Sequence, residues 1–317
     1  MRAAVVEALG STPRYTDFPE PRVDPGHEIV ELVATAIHPV VRSRAGGSHY
    51  SSTNAYPLVP GVDAVARTAD GTLVYTGGVQ EPWGTFAERM SVPSTAVAPL
   101  PDGADPVAVA AGMNPGMSSW MPLTAHRDAH GAPATVLVLG ATGMAGGLAV
   151  QNALALGAGR VLGVGRGADD LRRVAGLGAE TVELTGTADT DTQAIASALS
   201  GVVPTIVLDF LWGSAAQSMF RVLANLEGAG ATEYVEIGAI IDENALVPAS
   251  LLRSRRFVLS GSGIGSFDMR RYLSEARSYV GRIASGQVVV PASPCPLAQV
   301  DDAWQVVTGP RPVLTAE

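Results

Sequence analysis

Gly140-Ala-Thr-Gly143-Met-Ala-Gly146 is the stretch of this chain best suited to chemistry. It follows the apolar run TVLVLG (135–140) and opens a helical segment that reaches about Leu156. Small residues there let the backbone approach a pyrophosphate, and the helix N-terminus adds amides and a positive dipole end. With 36 glycines in 317 residues the string alone is weak. The order strand, loop, helix, second strand is what a dinucleotide site demands, so Gly140, Thr142, Gly143, Met144, Ala145 and Gly146 are the expected cofactor loop. About 20 residues further on, an NAD site carries an acid for the ribose 2′-hydroxyl. Here RVLGVG (160–165) runs into Arg166, and the first acid is delayed to Asp169. An arginine fork suits a 2′-phosphate, with Arg172 and Arg173 one or two turns later. The expected cofactor is NADPH.

The remaining reactive residues narrow the chemistry. All 21 cationic side chains are arginine, and the chain contains no lysine. That excludes a Schiff-base lysine, a P-loop lysine and a Tyr-Lys proton relay. The single cysteine, Cys295, excludes an internal disulfide and any thiolate-rich metal site; it reads as inert and fits a reducing, cytoplasmic compartment. Among the five histidines, His126 and His130 are spaced i, i+4, but in a polar stretch that reads as loop and without a paired acid. No metal is expected. With no ligand set for a Lewis acid, alcohol oxidation lacks its activator. Reduction of an already polarised acceptor remains. Asp209, closing TIVLDF (205–210), reads as a turn or cap residue rather than an acid catalyst.

These residues need elements to hold them. Length predicts two domains, and the acidic balance, −9 with a pI near 5.1, argues against nucleic-acid or anionic-membrane partners. Residues 1–110 read as strands and loops dense in proline, and the N-terminus as a strand rather than a signal peptide. From 111 to 283, short apolar runs alternate with helical segments, which means βαβ units and a parallel sheet. Residues 131–159 carry no charge, but the glycines within them exclude a membrane span. Tyr272, Ala276, Tyr279 and Ile283 fall on one helix face. Residues 284–317 are expected to return to the first domain.

Together these segments resemble the zinc-independent, quinone-oxidoreductase-like and enoyl-reductase-like branch of the medium-chain dehydrogenase/reductase superfamily, over nearly the whole chain. AIHPVVRSRAGGSHY is similar to the family's Asn-Pro stretch leading to Arg-x-Gly and a tyrosine, and YPLVPGVDAVA to its Pro-x-x-Pro-Gly-x-Asp segment. WGTFAERMSVP, LPDGADPVAVAAGMNPGMSSW and, most specifically, VLVLGATGMAGGLAVQNALALGA complete the match. The resemblance implies an α/β protein: a GroES-like β-barrel domain, a Rossmann domain with a doubly wound parallel sheet, and an active site in the cleft between them. It also implies an NADPH-dependent reductase of a quinone or an activated C=C bond, enone or enoyl thioester, paired as a homodimer through the Rossmann sheet edge. Tyr50 takes the position of a tyrosine linked to proton donation or substrate positioning. His38, where relatives carry Asn, would bond the nicotinamide ribose, relay a proton or serve the structure. Asn114, Ser118 and the backbone at Gly238 and Gly261 would lie beside the nicotinamide, and His49 in a substrate loop. Val41 in place of an Asp, Ser118-Ser119 in place of Thr-Ala, and a compressed AVARTADGTLVYTG depart from the pattern. Two other readings stay open: an NADPH-binding structural or sensor relative without turnover, and a reductase of an imine or carbonyl.

Overall fold

The computed structural model describes residues 1–228 and 230–316. Along the chain come β1 (Arg2–Val5), β2 (Arg14–Asp17), β3 (His27–Ala36), α1 (Pro39–Ala45), β4 (Asp63–Arg67), β5 (Leu73–Gly77), β6 (Arg89–Pro93), β7 (Ala98–Pro99) and α2 (Pro106–His130). The alternating series follows: β8 (Thr135–Leu139), α3 (Met144–Ala155), β9 (Arg160–Gly165), α4 (Ala168–Gly176), β10 (Glu180–Glu183), α5 (Ala188–Leu199), β11 (Ile206–Asp209), α6 (Gly213–Asn225), β12 (Ala231–Glu236), α7 (Ala249–Ser254) and β13 (Arg256–Gly261). The last elements are α8 (Met269–Ala284), β14 (Ala292–Pro296), α9 (Val300–Gln305) and β15 (Arg311–Thr315).

Two compact units result. One comprises Met1–Pro115 and the chain from Met269 onward; the other is Gly116–Asp268. The first is built on an antiparallel sheet in the order β14-β15-β3-β4-β5-β7, with β6 also on β3 and only β14–β15 parallel. The compressed AVARTADGTLVYTG stretch is its β4–β5 hairpin, whose turn is tied by Asp70 accepting from the Thr72 amide (3.1 Å). Its core includes Ala4, Val30, Ile37, Phe86, Met90 and Leu314.

The second unit is a six-stranded parallel sheet, β10-β9-β8-β11-β12-β13. Numbered within the unit this is the order 3-2-1-4-5-6, the doubly wound topology whose switch point lies between β8 and β11. The central strands β8, β9 and β11 are near-continuous apolar runs because both faces are covered, whereas the edge strands β10 and β13 are largely exposed. On one face Phe220, Tyr234 and Phe257 pack against one another, with ring centroids 4.9–6.1 Å apart.

Two expectations fail. The His126–His130 stretch, expected as loop, is the end of one helix over residues 106–130, which starts where Asp105 Oδ1 accepts the Val107 amide (2.9 Å) as an N-cap. And α8, assigned by sequence to the second domain, belongs to the first unit: its Tyr272 hydroxyl hydrogen-bonds Tyr75 of β5. No helix among the described residues is long and apolar enough to cross a membrane.

Candidate functional site

The glycine loop sits at the C-terminal end of β8, beside the switch point. Its backbone is fixed by the Gly140 and Ala141 amides, which both donate to the Val164 carbonyl (2.8 and 3.0 Å). Gly140 has φ +88°, closed to most side chains. A β-carbon on Gly146 would lie 2.2 Å from the Gly140 carbonyl oxygen, and one on Gly165 would lie 2.6 Å from Thr142 Cγ2. These three glycines are demanded by the protein itself. Gly143 is different: its φ is −74°, a β-carbon there would meet only the Gly140 oxygen at 3.4 Å, and it is exposed. Nothing among the described residues requires glycine at 143, whereas a ligand approaching the backbone would. Gly143 is also the N-cap of α3 and offers no capping side chain. The first turn, Met144, Ala145 and Gly146, thus has the character of an anion site. Among the described residues, this cradle fits a pyrophosphate.

At the end of β9, Arg166 is exposed and makes no hydrogen bond or ion pair among the described residues. The acids that follow are committed elsewhere, Asp169 to Arg172 and Asp170 to Arg173 (3.3 Å). Arg173 also reaches back to donate to the Thr142 carbonyl (2.5 Å), which lays a second guanidinium against the glycine loop. The sequence places Arg173 within the helix after Arg166; the contact with Thr142 did not show in the sequence.

Asn114 and Ser118 lie inside α2, not in a turn or at a cap. From Val109 to Leu123 only Asn114, Ser118 and Pro122 are not fully buried, one stripe at i, i+4, i+8. The Ser118 carbonyl accepts the Ser262 hydroxyl (2.7 Å), which brings this stripe to the residue after Gly261 at the end of β13. Gly238 follows β12 at the same edge of the sheet, where the Gly238 amide donates to the Asp209 carbonyl (3.2 Å). Asp209 is a structural group, as its position suggested. Its carboxylate is buried, accepts the Leu211 and Trp212 amides (2.8 and 3.0 Å) and takes the Tyr234 hydroxyl at 2.6 Å. Burial pushes its pKa up against these hydrogen bonds. Neighbouring Glu236 is also raised, by burial first and the Asp209 charge second. Sequence reasoning had not singled out Glu236.

In the first unit, His38 begins α1 and is enclosed, its Nε2 3.5 Å from Asp63 Oδ1. Asp63 Oδ2 accepts the Tyr75 hydroxyl (2.7 Å), and Tyr75 in turn meets Tyr272. Burial, then the Asp63 charge, drives Tyr75 well above its ordinary value and pushes Tyr272 up to about 12. This buried polar network of His38, Asp63, Tyr75 and Tyr272 was not anticipated beyond the Pro-Gly-x-Asp segment that contains Asp63. Tyr50 lies elsewhere, in the turn after α1, 85% exposed and stacked on His49 with ring centroids 4.1 Å apart. The enclosed His38 faces Asp63 and not that surface. His49 is shifted down by burial and by the Arg44 charge.

The histidine reading needs correcting. His126 and His130 are on the last turn of α2, not in a loop, and an acid does accompany them: Glu233 of β12 lies 3.1 Å from His126 Nδ1 and 3.2 Å from His130 Nε2.

Over an alignment of 348 positions, gaps included, the chain is 30% identical to a probable NADPH-dependent quinone reductase of Emericella nidulans, covering 96% of each chain. It belongs to the quinone-oxidoreductase-like branch of the medium-chain dehydrogenase/reductase superfamily. The fold is shared with the quinone oxidoreductase of Thermus thermophilus, whose crystal structures include an NADPH complex (TM-score 0.80, 24% identity, 99% and 100% of the two chains). It is shared too with an alcohol dehydrogenase superfamily protein from Novosphingobium aromaticivorans (TM-score 0.81, 21% identity, all of both chains). No protein-family model matches the chain.

Proposed function

We propose that the protein is an NADPH-dependent reductase whose acceptor is a quinone, with enones and enoyl thioesters as related acceptors. The observation that carries the cofactor assignment is Arg166: a free guanidinium directly after β9, where an NAD site would carry an acid. The cofactor would supply a hydride from its nicotinamide. The chain's part is to hold it. Gly143 and the first turn of α3 (Met144, Ala145, Gly146) would take the pyrophosphate, with Gly140 and Thr142 shaping the loop. Arg166, supported by Arg173, would pair with the 2′-phosphate bidentately. Asn114, Ser118 and the backbone at Gly238 and Gly261 would line the nicotinamide side. Tyr50 is assigned to proton donation or substrate positioning. His38 is assigned to hold the start of α1 through Asp63, short of a direct catalytic role.

The quinone-reductase name and the NADPH complex of the relatives support this reading. A homodimer through β13 is part of the proposal: β13 is the edge of the six-stranded sheet and its residues are largely exposed, Val258 at 59%. A cytoplasmic location rests on the lone cysteine. A second reading, an NADPH-binding relative without turnover, draws on the burial of His38 together with its charge partner Asp63.

The test is the cofactor preference. Titrations of tryptophan fluorescence with NADPH and NADH should show NADPH bound at least tenfold tighter, and Arg166→Ala should abolish the difference. Equal discrimination in the variant would overturn the assignment of Arg166.

A further inference from the structure

The last turn of α2 carries a histidine pair that the cofactor site does not use. His126 and His130 are one helical turn apart, with ring centroids 5.1 Å from each other, and both face Glu233. Glu233 sits on β12 opposite Ile206, toward the start of the strands, three residues or about 10 Å from the strand end where the cofactor loop lies. His126 is 6% exposed. Its Nδ1 makes no hydrogen bond even though Glu233 Oε2 is 3.1 Å away. The distance is short, and the direction is wrong for an N–H to donate. A buried ring nitrogen left in this way is costly unless another partner satisfies it.

A metal ion meets each of these features. With ligand bonds of 2.0–2.2 Å, neighbouring ligand atoms of a tetrahedral zinc stand about 3.3 Å apart. Here His126 Nδ1 is 3.1 Å from Glu233 Oε2 and His130 Nε2 is 3.2 Å from Oε1, the other oxygen of the same carboxylate, and one ligand atom from each of the three residues lies within 4.8 Å of the others. Two histidines at i, i+4 on one helix face are a spacing used by zinc sites. The C-terminal end of α2 is the negative end of its dipole and favours a cation. His130 and Glu233 are partly exposed, so an ion has a way in and water can complete its coordination.

We propose that His126 Nδ1, His130 Nε2 and a Glu233 carboxylate oxygen bind one divalent transition-metal ion, zinc or a zinc-like ion, joining α2 to the sheet of the second unit. Its place at the opposite end of the strands from the cofactor loop makes it a structural site, not a catalytic one.

Untagged full-length protein, stripped with chelator, should be titrated with Co2+ and then with Zn2+ in competition. One equivalent of Co2+ should bind with a visible tetrahedral-type absorption that Zn2+ abolishes, and Zn2+ should raise the melting temperature. His130→Ala and Glu233→Gln should each weaken binding at least tenfold; both residues are partly exposed, and their metal-free melting curves check that the variants fold. Absence of bound Co2+ in the wild type would overturn the proposal. So would one equivalent retained at unchanged affinity in the double variant, which would put the ion elsewhere.

Discussion

Replacing Gly146 and Gly143 by alanine, one at a time, separates what the loop owes to the fold from what it owes to a ligand. In Gly146→Ala the new β-carbon would lie 2.2 Å from the Gly140 carbonyl oxygen and 2.7 Å from Ala141 Cα, both backbone atoms. Relief requires the start of α3 to move by about 1 Å to restore ordinary contact distances. Overpacking of that kind costs about 1–3 kcal/mol, a fall in Tm of roughly 2–10 °C for a chain of this size. In Gly143→Ala the nearest atom is at 3.4 Å and φ is already −74°. Alanine is a poorer N-cap than glycine, but it also removes freedom from the unfolded chain, so the two effects, each about 0.5–1 kcal/mol, nearly cancel. Its methyl group would instead stand where a pyrophosphate approaches, costing about 1–3 kcal/mol of binding, or roughly 5- to 150-fold in Kd. Calorimetric melting and NADPH titration read the two effects separately. The reasoning is refuted if Gly143→Ala binds NADPH within twofold of wild type, or if Gly146→Ala melts unchanged.

Other consequences follow from the buried polar groups. Glu236 has a folded pKa above its unfolded one, so its contribution to stability is lost as pH rises through the folded value and the carboxylate ionises in place. Glu236→Gln should therefore raise Tm at pH 7, with the gain fading below the ordinary carboxylate range; a constant gain across pH in thermal melts would contradict this. Tyr75→Phe removes the donor to Asp63 Oδ2, whose Oδ1 already lacks a hydrogen bond. A loss of about 1–3 kcal/mol is expected in denaturant unfolding. Tyr50→Phe, at an 85% exposed residue, should leave Tm and NADPH affinity unchanged while lowering kcat about tenfold or more if the hydroxyl moves a proton.

Local requirements were legible in the sequence, and long-range ones were not. The glycine turn after β8 could be read because Gly140, Gly146 and Gly165 answer to contacts within one strand–turn–helix–strand unit. The central strands of the parallel sheet, β8, β9 and β11, stood out as apolar runs, and α8 as an amphipathic face ending in Tyr279 and Ile283. Helix α2 escaped for the opposite reason. It is buried nearly all round over Val109–Leu123, so its apolar residues have no period, and Gly112, Pro115 and Gly116 read as breakers. The contacts His38–Asp63 and Tyr75–Tyr272 join segments far apart in the chain, as do His126 and Glu233. No spacing rule announces such pairs. For His126 and His130, misreading the helix as loop also hid the one local signal, their shared face.

The most direct test of the central claim is turnover. Purified protein with NADPH and a 1,4-quinone, under anaerobic conditions, should consume both in equal amounts, well above the rate without protein. NADH should serve at least tenfold less well in kcat/KM. Tight NADPH binding with no consumption above the protein-free rate, across quinones, enones and enoyl thioesters, would contradict the account and leave a cofactor-binding protein without turnover.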